Sequence, residues 1–439
     1  MFFYQNKRKI QLFSSYLFLL ITLFLAGCGG GGGNPTFQTP QSPHQPQLPH
    51  HNPPQNPNQP SDQSHIVRRK TKWNIMIYAN GGATVEQDFN ARRILDDVAR
   101  VANNPEVRVS MQLKKYSPAY HGTNPLGLQV PDFQGVRRYV VEPGQPHPKS
   151  AILIQNLNHS DMGSEQGLKD FIEWNFRQNP AEKNILILWC HTSGRNRIRF
   201  DDNSYNQLRI DEISRALGNR KFDMILSHCC YFQNILTAYQ LRNHTDYLIA
   251  SQPDGPLSRD FTSDISRDIQ NNINLSNDQL AMRISNHFCA NASFNQQQAR
   301  SVIKTSELVN VKNALNALGQ VLMQMYSLDS AGTQLLARNS QNHAIRFGLG
   351  GFSGDCKDIL SLTQELGSHV NATPSLMNAC HQLALATTQA VLVRSNAPRY
   401  HQLCGFSVEV PSLNGATLGN YYDIYRDAPN WKNFLETVL

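Results

Sequence analysis

Ile185-Leu186-Ile187-Leu188-Trp189-Cys190-His191 is the stretch that decides the fold. Five consecutive apolar residues are too few for a buried helix and suit a strand covered on both faces. Two reactive side chains follow directly. Met224-Ile225-Leu226 repeats the pattern downstream and ends in Ser227-His228-Cys229-Cys230. Upstream, Trp73-Asn74-Ile75-Met76-Ile77-Tyr78-Ala79 reads as a strand leading to Gly81-Gly82. Val107 to Leu113 and Tyr247 to Ala250 read as further strands. Helical spacing of apolar residues fills the gaps. Gln87 to Ala102 carries Phe89, Ile94, Val98 and Val101, and Gly163 to Phe176 carries Leu168, Phe171, Ile172 and Phe176. Ile210 to Leu217 and Ile235 to Leu241 are shorter helices. Strands alternating with helices predict an α/β fold, a parallel sheet with helices on both faces. Chemistry in such sheets gathers beyond the carboxyl ends of the strands. Two of these ends carry cysteine and histidine.

The rest of the chain sorts by composition. Of 439 residues, 40% are hydrophobic and 17% charged, which places the bulk among globular proteins. The net charge of +7 falls to +4 without Lys7, Arg8 and Lys9, too weak a bias for a nucleic-acid partner. That basic cluster precedes an apolar run, Leu12 to Ala26, and then Gly27-Cys28. Basic, apolar and small residues in this order describe a secretory signal over 1–27. Cys28 after the small residues is similar to the lipobox of bacterial lipoproteins. That resemblance implies several acyl chains on Cys28, which hold a protein at a membrane where a single chain does not. Gly29 next to it implies the outer membrane. Residues 28–66 are rich in Pro, Gln, Asn and His and read as a disordered tether. A core over 67–260 follows. Residues 261–439 read as a C-terminal α/β extension packed on it, with Val302 to Tyr326 as one long helix.

Three readings of the Cys/His constellation compete. A thiolate beside an imidazole is a nucleophile with a general base. The set Cys190, His191, His228, Cys229 and Cys230 also contains zinc-type ligands, although neighbours on a strand point to opposite faces. The third reading is a binding module without catalysis. Cys289, Cys356, Cys380 and Cys404 complete the folded part's cysteines, and their pairing is not legible. Any disulfide involving Cys230 would silence a thiol enzyme.

The chain resembles the clostripain-like cysteine peptidases, of the caspase-like clan. They share an opening W-x-I-M-x-Y strand, matched by Trp73 to Tyr78. Their L-I-L-W-D-H-G strand is matched by Leu186-Ile187-Leu188-Trp189-Cys190-His191. Their D-L-I-x-x-D-A-C-L-M segment is matched from Asp223 to Cys230, and D-Y-x-x-A-S by Asp246 to Ser251. Gly405 to Pro411 and Trp431 to Leu435 are similar to the family's C-terminal pieces. The resemblance implies a caspase-like sandwich and a cysteine endopeptidase acting on proteins or peptides. It implies His191 as general base and acid and Cys230 as nucleophile, with Cys229 at the family's alanine position. It implies an oxyanion contact from the backbone after His191, where Thr192 replaces the family's glycine and Gly194 follows. In relatives an acid two residues before the nucleophile helps bind a basic side chain; here it is His228, and Asp254 is the substitute in view. Thr192 and His228 are the departures that keep the inactive module open. The resemblance admits calcium but requires no cofactor. Arg195 to Arg209, with four arginines, sits where relatives cut themselves.

Overall fold

The structure is a computed structural model that describes residues 66–81, 85–115, 133–158, 160–192, 197–199, 206–253, 262–287, 299–347, 356–411, 418 and 422–439. The lipidation residue Cys28, the signal segment and the tether lie outside the described residues. Residues Pro60–Leu439 form one compact unit.

The described strands are β1 (Thr71–Asn80), β2 (Val107–Lys115), β3 (Gly135–Val141), β4 (Ala151–Asn158), β5 (Ala181–Trp189), β6 (His191–Thr192), β7 (Arg197–Arg199), β8 (Leu208–Arg209), β9 (Phe222–Ser227), β10 (Thr245–Ser251), β11 (Ala299–Lys304), β12 (Cys356–Asp358), β13 (Val391–Asn396) and β14 (Ser407–Glu409). Nine of them build the main sheet, in the order β13-β11-β10-β9-β5-β1-β2-β3-β4. Its centre is parallel, from β10 through β9, β5 and β1 to β2. Both flanks are antiparallel. This is the expected α/β sandwich with helices on both faces.

Alternation along the strands feeds two apolar layers. Trp73, Ile75 and Ile77 of β1 and Ile185, Ile187 and Trp189 of β5 share one cluster. That cluster is covered by α1 (Val85–Arg100) and by two later helices, α5 (Thr262–Asn271) and α6 (Asn277–His287). Met76, Tyr78, Leu186 and Leu188 face the other way. Here the cover begins with α2 (Glu165–Gln178), α3 (Ile210–Leu217) and α4 (Ile235–Leu241). C-terminal helices complete it: α7 (Leu308–Leu328), α8 (Ser330–His343), α9 (Ile359–Ser368), α10 (Pro374–Ala390), α11 (Asp423–Asp427) and α12 (Pro429–Thr437). Continuous apolar runs in the central strands follow from this two-sided burial.

One expectation needs correction. The long helix expected over Val302 to Tyr326 starts at Leu308, because Val302 and Ile303 belong to β11. Val302 is buried in one apolar layer and Ile303 in the other. Pairing with β10 on one side and β13 on the other outweighs the helical spacing of the flanking residues.

Candidate functional site

The two reactive strand ends are neighbours. β5 and β9 run parallel in register, from Ile185 opposite Met224 to Leu188 opposite Ser227. One more backbone bond follows, from His228 N–H to Leu188 O at 2.9 Å. Past that point the chains part. On one side β6, holding His191 and Thr192, pairs antiparallel with β7, His191 opposite Arg199 and Thr192 opposite Ile198. β7 pairs in turn with β8. This small sheet fixes the backbone of His191 just beyond the main sheet. The side chains of His191 and Thr192, and all of Gly194 and Asp254, lie outside the described residues.

On the other side the chain turns sharply after Cys230. Tyr231 has φ +55°, a left-handed backbone that costs an aromatic residue free energy on the order of 1–3 kcal/mol and persists only where its surroundings enforce it. The enforcing contacts are visible. Tyr231 N–H donates to Pro253 O at 3.1 Å. Asn234 Nδ2 donates to Tyr231 O at 2.8 Å, while Asn234 Oδ1 accepts from Thr237 N–H at 2.9 Å and caps α4. Buried Gln233 donates through Nε2 to Leu248 O at 3.2 Å, to Ser301 O at 2.9 Å and to Ser301 Oγ at 3.0 Å. Ser407 N–H and Oγ both donate to Gln233 O at 3.1 Å. Buried Gln252 ties the next strand end to Asp358 and to Phe406 O, each at 2.9 Å. The turn carrying Cys230 is thus braced by β10, β11 and the C-terminal region together. Cys230 is partly exposed and outside any disulfide.

Cys190 and Cys229 are bonded to each other, with Cα atoms 5.5 Å apart. Both are fully buried in the same apolar layer. Two ligands of the metal reading are therefore used in a disulfide.

His228 lies buried two residues before Cys230. Burial, and then the charge of Arg300, holds its imidazole well below the ordinary range, so it is neutral near pH 7. Arg300 is itself buried and donates from Nη1 to Ser227 O at 2.6 Å. The position where relatives keep an acid is neutral here and faces a guanidinium. Of the arginine-rich segment, Arg209 is described with its side chain. It pairs with Asp211 at 2.9 Å and Glu212 at 3.0 Å, and its N–H donates to Glu212 Oε2 at 2.7 Å at the start of α3.

Sequence reasoning passed over Gln233, Gln252, Arg300 and the Cys190–Cys229 bond. The bond left a signal: the two cysteines stand at the same offset, one residue before His191 and one before Cys230. Gln233 also stood out, as a polar residue among Phe232, Ile235 and Leu236. Arg300 left none, since its role comes from β11 lying beside β10.

A model of the clostripain family matches residues 141–433 of the chain, spanning both strand ends. Comparison with curated proteins gave no match. Among solved structures, an inactive zymogen C11 protease from Parabacteroides distasonis aligns with a TM-score of 0.60 at 15% identity, covering 83% of this chain and 99% of that one. A secreted C11 cysteine protease from Bacteroides thetaiotaomicron, in complex with an irreversible peptide inhibitor, aligns with a TM-score of 0.57 at 15% identity, covering 82% and 99%. A second structure of a secreted C11 cysteine protease from that organism gives 0.58 at 13%, covering 83% and 99%. At these identities the structural likeness speaks to the fold, and the family model speaks to descent. The chain belongs to the clostripain family of cysteine peptidases.

Proposed function

We propose that the protein is a cysteine endopeptidase in which Cys230 is the nucleophile and His191 the general base and acid. The observation that carries this reading is the pairing of β5 with β9, which brings the two residues to adjacent strand ends beside a braced, strained turn. The thiolate of Cys230 attacks the scissile carbonyl carbon. The imidazolium of His191 gives its proton to the leaving amine. Water, deprotonated by the same imidazole, then releases the acyl group and restores the thiol. Backbone N–H groups after His191, that of Thr192 and one near Gly194, are the expected oxyanion donors.

Hydrolysis of a fluorogenic peptide library by the chain from residue 67 onward tests this. Cys230→Ala lowers turnover by about a thousandfold or more. Loss of activity only in Cys229→Ala would move the nucleophile. Absence of both cleavage and thiol labelling at Cys230 would favour the inactive binding module, which the Thr192 and His228 departures suggest. Neutral His228 beside Arg300 gives no anchor for a basic side chain, so cleavage after Arg or Lys requires a carboxylate elsewhere, with Asp254 as the candidate. The library with Asp254→Asn decides that. The dyad chemistry needs no metal, and unchanged turnover in a chelator is expected; loss restored by calcium would add a cofactor.

Localisation is part of the same reading. Among the described residues no helix is long and apolar enough to cross a membrane. We place the enzyme on the outer membrane through acylated Cys28, with residues 28–66 as a tether. Radiolabelled palmitate should enter the wild-type protein and not Cys28→Ala.

A further inference from the structure

We propose that Cys190 and Cys229 are positioning residues whose disulfide holds His191 and Cys230 in register for catalysis. This rests on the dyad reading above. Among the described residues, the ladder between β5 and β9 runs to the bond from His228 N–H to Leu188 O. Beyond it one chain leaves for β6 and its pairing with Arg199, and the other enters the Tyr231 turn and pairs with Pro253 O. The bridge spans the gap where backbone pairing ends. Its Cα atoms are 5.5 Å apart, within the range of an ordinary disulfide. Each of the two reactive residues is the next residue along, one peptide step of about 3.8 Å from a bridged Cα.

The surroundings fit a fixed tie rather than an exchanging one. Cys190 and Cys229 are fully buried in the apolar layer against the sheet. Cys230 is partly exposed and is not a member of that layer. The adjacent cysteines therefore differ in surroundings: Cys229 is closed within the apolar layer, and Cys230 has access to solvent. A misplacement near 1 Å between reacting groups costs about a hundredfold in rate. A covalent tie one residue from each partner limits such drift.

The test uses the full chain. Peptide mapping without reductant should return the Cys190–Cys229 link, and a link from either residue to Cys230, or both thiols free, overturns the proposal. Alkylation of Cys230 by iodoacetamide is then followed against pH, resolved by peptide mass, beside kcat and KM. It is measured with the bridge intact and after a dithiol opens it, giving two thiols and a reductant oxidised by two electrons and two protons. The Cys190→Ala/Cys229→Ala double variant is measured too. With the bridge intact, Cys230 should alkylate nearly as fast at pH 6 as at pH 8, as expected for a thiolate beside an imidazolium. Opening or deleting the bridge should slow alkylation at pH 6 about tenfold, moving the profile toward that of a free thiol near 8.5. It should also lower kcat about ten- to a hundredfold with little change in KM. The double variant should ignore the dithiol. Should the double variant not fold, the reduced wild-type protein, checked by circular dichroism, gives the same reading. Equal pH profiles and equal kcat in the two states overturn the proposal and leave the dyad standing. Full hydrolysis by Cys230→Ala overturns the dyad itself, and the proposal with it.

Discussion

Gln233 shows how single side chains decide the geometry of the turn after Cys230. Its amide reaches a carbonyl of β10 and both the carbonyl and the hydroxyl of Ser301 on β11, all without access to water. Gln233→Leu keeps the volume and removes the donor. Urea unfolding should show a loss of about 2–3 kcal/mol, with lower turnover as the turn relaxes; a loss below about 1 kcal/mol would mean that other contacts hold the turn. His228 makes a second prediction. Its folded pKa is depressed, by burial first and by Arg300 second, so the unfolded chain binds a proton that the folded chain refuses. Stability is therefore full above the unfolded value near 6.5 and declines as the pH falls below it. His244, also depressed chiefly by burial, acts in the same direction. Glu173, held low by its hydrogen bond from Arg220, enters only at lower pH. Thermal unfolding at pH 7 and pH 5 should show the decline, and His228→Asn should shrink it; an undiminished decline would place its origin elsewhere. At this scale the sequence singles out His191 and Cys230 through the motifs around them, and the structure brings their two strand ends side by side. Their supports are less legible: Gln233 shows only as a polar residue in an apolar stretch, and Arg300 acts from a strand far along the chain. The partner of Cys190 was hidden differently. Opposite facing of neighbours argued against convergence of five ligands, yet the same alternation lets Cys190 and Cys229 share a face.

Elements were legible where one period ruled. β1, β5, β9 and β10 carry uninterrupted apolar runs because helices cover both faces, and α3 and α4 run over Ile210–Leu217 and Ile235–Leu241 as the spacing indicates. β11 was not legible, since Ser301-Val302-Ile303 borders a long helical pattern and only its two neighbours in the sheet make it a strand. The antiparallel β3 and β4 escaped notice for a related reason: their short apolar runs, Tyr139 to Val141 and Ala151 to Ile154, adjoin polar residues within the same strand, Arg137 and Arg138 or Gln155 and Asn156. Helix α7 adds a prediction at its crossing with α12. A Cβ built on Gly319 would meet the backbone nitrogen of Trp431. Propensity alone favours Ala over Gly in a helix interior by about 1 kcal/mol. Overpacking against backbone that cannot step aside costs about 1–3 kcal/mol. Gly319→Ala should therefore lower the stability measured by denaturant midpoint, against the direction of propensity. A rise would show that the two helices separate freely.

The molecule as a whole argues for one cooperative body from about residue 60 onward. β11 and β13, both from the second half of the chain, complete one flank of the main sheet. α7, α10 and α12 close the apolar layer that holds the Cys190–Cys229 bond. Braces on the Cys230 turn come from Ser301, Asp358 and Ser407, all beyond residue 261. Cutting the chain at residue 260 would leave the β10 edge unpaired and strip part of the cover from both apolar layers, a surface that invites strand pairing between copies. A fragment of residues 67–260 should therefore lack cooperative unfolding and aggregate. Calorimetry of the intact protein should show one transition, whose van't Hoff and calorimetric enthalpies agree. Two separated transitions, or a soluble fragment that melts cooperatively, would instead make the C-terminal region an independent domain. The site would then depend on docking between two bodies, and its supports would be an interface rather than a core.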